Sequence, residues 1–77
     1  MFIACFDAKN PKDGVVTGFE TIEEGYADLG RLYKKKCPKF DSIVVGKEFE
    51  LEGMIYCFFE DDGLAHVWLN EHRYATK

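Results

Sequence analysis

What this 77-residue chain lacks narrows its possibilities first. Its three cysteines, Cys5, Cys37 and Cys57, are an odd number at wide spacing with no CxxC pair. That argues against a disulfide framework and for reduced thiols in a cytoplasmic protein. His66 and His72 stand six apart with no cysteine pair beside them, which is not the spacing of a zinc site, so neither metal nor cofactor is expected. No apolar run approaches the roughly 20 residues needed to cross a bilayer. The opening Met1-Phe2-Ile3-Ala4-Cys5 lacks the basic start of a secretory signal, and Asp7 interrupts it. There is no GxSxG elbow, P-loop, GxGxxG or HExxH motif, and a non-catalytic protein is the expectation. With only two prolines and no repeat, linker or low-complexity tract, residues 1–77 read as a single domain.

What is present suits a small folded protein. The chain is 47% hydrophobic and carries twelve aromatics (seven Phe, four Tyr, one Trp), enough to fold although a chain this short buries only about 60% of its unfolded surface. Phe2 to Phe6 and Val15 to Phe19 are β-prone and flank the turn formers Lys9 to Gly14, so residues 2–19 read as a hairpin. Thr21-Ile22-Glu23-Glu24 matches a capping box, and Ile22, Tyr26, Leu29 and Tyr33 then recur on one helical stripe. Acids at the start and bases at the end complement the helix dipole, and Pro38 disfavours helix at Cys37, which predicts a helix over 21–36. Gly25 and Gly30 each cost about 1 kcal/mol of helix propensity, so at least one is expected to face a close neighbour, the sheet beneath.

Beyond Ser42-Ile43-Val44-Val45, Glu48, Glu50 and Glu52 alternate with Phe49 and Leu51, a half-buried strand with one acidic face, and Gly46 suggests a bulge. Met54 to Glu60 and Leu64 to Asn70 flank Asp61-Asp62-Gly63, which predicts a further hairpin with Gly63 left-handed. The predicted class is α+β, an antiparallel sheet with one helix on one face in the order β-β-α-β-β-β. With a three-residue loop, Ile55, Cys57, Phe59, Ala65, Val67 and Leu69 share the face beneath the helix. Met54, Tyr56, Phe58, His66, Trp68 and Asn70 then share the other.

That second face is the candidate site. Tyr56, Phe58, His66 and Trp68 would form an exposed apolar patch, rimmed by Glu48, Glu50, Glu52, Glu60, Asp61 and Asp62. Such a surface fits a protein partner with a basic face, the acids raising the association rate more than the affinity. The alternative is a further layer that covers the aromatics, either a homodimer or the first hairpin folding over. A stacking platform for single-stranded nucleic acid is a second reading, opposed by the charge. The formal charge is −4, and the only basic block, Arg31 to Lys39, sits at the predicted helix end rather than around the aromatics. A third reading is a small-ligand pocket between subunits, with His66 as its polar contact.

In size, charge and strand–helix–strand order around Thr21-Ile22-Glu23-Glu24 and Glu60-Asp61-Asp62-Gly63, the chain resembles the small acidic single-domain inhibitors encoded by bacteriophages and mobile elements, among them anti-CRISPR proteins. The resemblance implies a stoichiometric inhibitor that occupies a basic, nucleic-acid-binding surface on a host protein. Proteins of this kind share no common signature, so it assigns no residue a role.

Overall fold

In the computed structural model, which describes residues 1–33 and 37–75, the β-prone N-terminal segments pair as β1 (Phe2–Asp7) and β2 (Asn10–Gly18). The turn between them is only Ala8-Lys9, where the Asp7 carboxylate accepts a hydrogen bond from the Lys9 amide at 2.8 Å. Most of the turn-forming cluster therefore lies inside β2. Pairing runs evenly from Phe2 opposite Gly18 to Phe6 opposite Gly14, then jumps to Asp7 opposite Asn10. Residues 11–13 are surplus on β2, and Pro11 is tolerated there because β2 is an edge strand.

Helix α1 (Ile22–Tyr33) starts where the capping residues predict, with the Glu24 amide donating to the Thr21 hydroxyl at 3.3 Å. The last three residues of the predicted helix, Lys34 to Lys36, and with them most of the basic block, lie outside the described residues. Of its remaining bases, Arg31 pairs with Asp28 of its own helix at 2.6 Å. Ile22 and Leu29 bring the apolar stripe onto one face of the sheet, against Ile3, Tyr56 and Phe58. Gly25 lies close against that sheet: a Cβ there would stand 2.8 Å from the Phe58 ring.

After a single 3-10 turn at Phe40–Ser42 come β3 (Phe49–Leu51) and β4 (Met54–Phe59). The strand predicted over the glutamates is thus three residues long, although its alternation holds, with Leu51 buried and Glu50 exposed. Leu51 pairs with Met54, leaving Glu52-Gly53 as a two-residue turn with φ of 54° and 83°, the conformation that matches the twist of a tight hairpin. Gly46 sits in a turn at φ 86° rather than in a strand bulge. The four strands are antiparallel in the order β2-β1-β4-β3.

The predicted final hairpin is not formed. Residues 62–75 are a second helix, α2 (Asp62–Ala75), so the order is β-β-α-β-β-α, and Gly63 lies within the first turn of that helix. Two periodicities coexist in the segment. Ala65, Val67 and Leu69 alternate as in a strand, while Ala65, Trp68, Leu69 and His72 recur at i, i+3, i+4 and i+7. Burial follows the second: Ala65 and Leu69 are buried, whereas Val67 is 54% exposed. The physical reason lies in β4, which is apolar on both sides and needs cover on both. Helix α2 packs Ala65 and Leu69 against Ala4 and Phe6, with Phe2, Ile55, Phe59 and Trp68 around them. The sheet is therefore held between two helices, α1 on one face and α2 on the other.

Candidate functional site

The sandwich removes the exposed aromatic face expected from the sequence. Tyr56 is 6% exposed and Phe58 fully buried, both beneath α1, with Phe49 stacked on them at ring centroid distances of 5.8 and 6.3 Å. Side chains needed on both sides of β4 to bury two helices cannot also offer a stacking platform, so that arrangement is corrected.

Trp68 keeps an accessible position, on α2 and half-buried. Its indole is held by Phe6 at 5.1 Å, Phe59 at 5.8 Å and His72 at 4.8 Å between ring centroids. His72 Nδ1 lies 2.9 Å from the Trp68 carbonyl, as the spacing of one helical turn allows, and its Nε2 lies 3.4 Å from Glu48. This contact ties α2 to the segment before β3. Along that segment the backbone turns at Val45-Gly46, and the Gly46 amide donates to the Phe58 carbonyl at 2.8 Å, which fixes the turn beside α2.

Between that turn and α2 opens a groove of about 340 Å³, lined by Val45, Phe59, Leu64, Val67 and Trp68, with Glu60 and Glu71 as its charged members. Leu64 is 55% exposed, Val67 54% and Val45 40%. Leu64 and Val67 are i, i+3 neighbours on α2, outside the stripe that packs on the sheet. Sequence reasoning missed Val45, which lies in a separate segment, and missed Leu64 and Val67 because a strand over 64–70 puts those two on opposite faces. A helical reading puts them side by side, so the signal was present.

The remaining predicted site residues are dispersed. His66 is exposed and pairs with Asp62 at 3.3 Å one turn earlier on α2, away from the groove lining. Asp61 precedes α2, its carboxylate lying beside Gly63 and its carbonyl accepting from the Ala65 amide at 3.2 Å, so its role is to start the helix. Glu50 and Glu52 line a separate depression with Asp7, Lys9 and Met54, at the turn end of the two hairpins. Among the described residues no group of three His, Cys, Asp or Glu side chains is placed to hold a metal ion, and no helix is long and apolar enough to cross a membrane.

Cys5 and Cys57 are poor nucleophiles. Burial pushes Cys57 up to about 11, helped by the Glu48 carboxylate and partly offset by a hydrogen bond from the Gly46 backbone. Cys5 is raised by burial as well, against a hydrogen bond from the Val15 backbone. Both stay protonated at neutral pH, where the thiolate is the reactive form. Compared with protein-family models, curated proteins and solved structures, the chain matches none of them.

Proposed function

We propose that this protein is a non-catalytic binding module whose α2 groove takes an apolar side chain from a cationic segment of a protein partner, and that it acts as an inhibitor by covering that segment. The observation that carries the reading is the groove lining: five apolar side chains, three of them substantially exposed, together with two carboxylates and, among the described residues, no base. Apolar area of this kind, next to a half-fixed tryptophan, is what a protein contact buries at its centre. Glu60 and Glu71, with Asp61 and Asp62 nearby in sequence, favour a basic rim on the partner and speed its approach. The inhibitor role rests on the resemblance in size and charge, which adds that the covered surface binds nucleic acid in the host protein.

Trp68 is the chain's single tryptophan and forms one wall of the groove, so its fluorescence reports occupancy. The probe is a helical peptide of Lys, Arg and Leu, compared with one in which Glu replaces the bases. The cationic peptide is expected to shift Trp68 emission saturably, and Val67→Glu is expected to abolish the shift while leaving the circular dichroism unchanged. Equal response to both peptides, or an unaltered response of the variant, refutes the reading. Saturable binding of single-stranded oligonucleotide in place of peptide would favour the nucleic-acid reading instead.

A further inference from the structure

A different surface, the free edge of β2, carries an inference independent of the groove. Which backbone groups point outward along it follows from one pair: Met1 and Phe19 exchange both hydrogen bonds, at 3.0 and 2.7 Å. In an antiparallel ladder bonded and non-bonded pairs alternate. With the register unbroken from Phe2 opposite Gly18 to Phe6 opposite Gly14, Thr17 and Val15 therefore point their N–H and C=O groups at β1. Gly14, Val16 and Gly18 point theirs away, to the open edge. The same alternation carried across β1 turns the Phe58 backbone toward β3, and Phe58 there accepts from Gly46 at 2.8 Å, as it must if the phase is right.

The two edges of the sheet are treated differently. The β3 edge is three residues long and set among Glu48, Glu50 and Glu52, a charged and short edge of the kind that resists pairing. On β2, proline and charge guard only residues 10–13, while Gly14-Val15-Val16-Thr17-Gly18 is an uncharged edge with Val15 58% exposed. This stretch is symmetric about Val16. In an antiparallel pairing with itself, Val16 meets Val16 of the second copy and Gly14 meets Gly18, so every outward group is bonded and two hydrogen bonds form at each pair. Beyond the paired stretch, exposed Lys12 in the bulge lies at one end and exposed Glu20, just past β2, at the other, so the antiparallel arrangement brings opposite charges toward each other on each side of the axis. Self-complementarity in both hydrogen bonds and charge specifies the occupant.

We propose that β2 pairs with β2 of a second copy about a two-fold axis at Val16, doubling the four-stranded sheet into one continuous antiparallel sheet. The test combines sedimentation equilibrium with amide hydrogen exchange over a concentration series reaching about 1 mM. The expected mass rises to twice 8.9 kDa. The Val16 and Gly18 amides become protected only as the mass rises, whereas Val15 and Thr17 are protected throughout by β1. Val15→Lys with Thr17→Lys, both at exposed positions, is expected to weaken association at least tenfold, with an unchanged melt at low concentration showing that the fold is kept. Lys12→Glu weakens it several-fold, and adding Glu20→Lys restores it. A monomer throughout the series, a dimer whose Val16 amide exchanges freely, or a dimer indifferent to the lysine pair overturns the proposal. A dimer broken instead by Val67→Glu would place the second copy in the α2 groove.

Discussion

Two glycines of α1 offer a matched pair of substitutions that reads the packing of this helix on the sheet. Gly25 and Gly30 both lie inside the helix, where replacement by alanine recovers about 1 kcal/mol of propensity. At Gly30 a Cβ meets nothing within 4 Å, so Gly30→Ala receives the whole gain. For a domain of this size that corresponds to a melting temperature about 4–8 °C higher. At Gly25 the same Cβ would lie 2.8 Å from Phe58 Cε1 and 3.2 Å from Phe19 Cδ2. Phe19 is half-buried and can give, but Phe58 is fully buried among Ile3, Leu29 and Tyr56. Forcing a methyl into such packing costs about 1–3 kcal/mol, which offsets or exceeds the propensity gain. Gly25→Ala is thus expected to be neutral to about 2 kcal/mol destabilised, while Gly30→Ala is stabilised. Urea denaturation monitored by circular dichroism measures both, with unchanged m-values confirming a comparable unfolding. Equal stabilisation by the two alanines would refute the reasoning, because it would mean that Phe58 does not lie beneath Gly25.

Other expectations follow from the same packing. Leu69→Ala, which empties the centre of the α2 contact, should cost about 2–5 kcal/mol in urea denaturation, whereas Val67→Ala, one turn face away and exposed, should cost little. Gly53→Ala places a side chain at φ 83° in the β3–β4 turn and should cost about 1 kcal/mol, read as a lowered denaturation midpoint. Because the folded state raises Cys57 from 9.0 to about 11, the native protein holds its thiol proton where the unfolded chain releases it. Stability from this group is therefore complete below pH 9 and lost as the pH rises from about 9 to 11. Cys57→Ala should lose less stability than the wild type across that window, measured as denaturation midpoint against pH.

The sequence made some of this architecture legible because local chemistry decided it. Thr21 and Glu24 set the start of α1, and the first hairpin follows from two β-prone runs around Pro and Gly, with no distant contact needed. A strand over 64–70 is the wrong reading because Ala65, Val67 and Leu69 satisfy a period of two as well as Ala65, Leu69 and His72 satisfy a helical one. Propensity does not separate the two over so short a stretch. What separates them is tertiary: Ile55, Cys57 and Phe59 on one side of β4, and Tyr56 and Phe58 on the other, require a covering layer each. Counting apolar residues on both sides of β4 would have demanded a second helix. Trp68, expected on an open sheet face, stands instead at the margin of α2 against Phe6 and Phe59. The groove partners Val45 and Leu64 come from segments 19 residues apart, which only the folded chain brings together.

The sidedness of β4 is tested most directly by proton–proton NOEs from the Phe58 ring. The ring is expected to show cross-peaks to the Gly25 Hα protons and the Leu29 methyls, while Leu69 methyls report to Gly14 and not to β4's Tyr56. A Phe58 ring without contacts to α1, together with cross-strand NOEs between residues 54–60 and 64–70, would contradict the two-helix sandwich and return the aromatic residues to an open face.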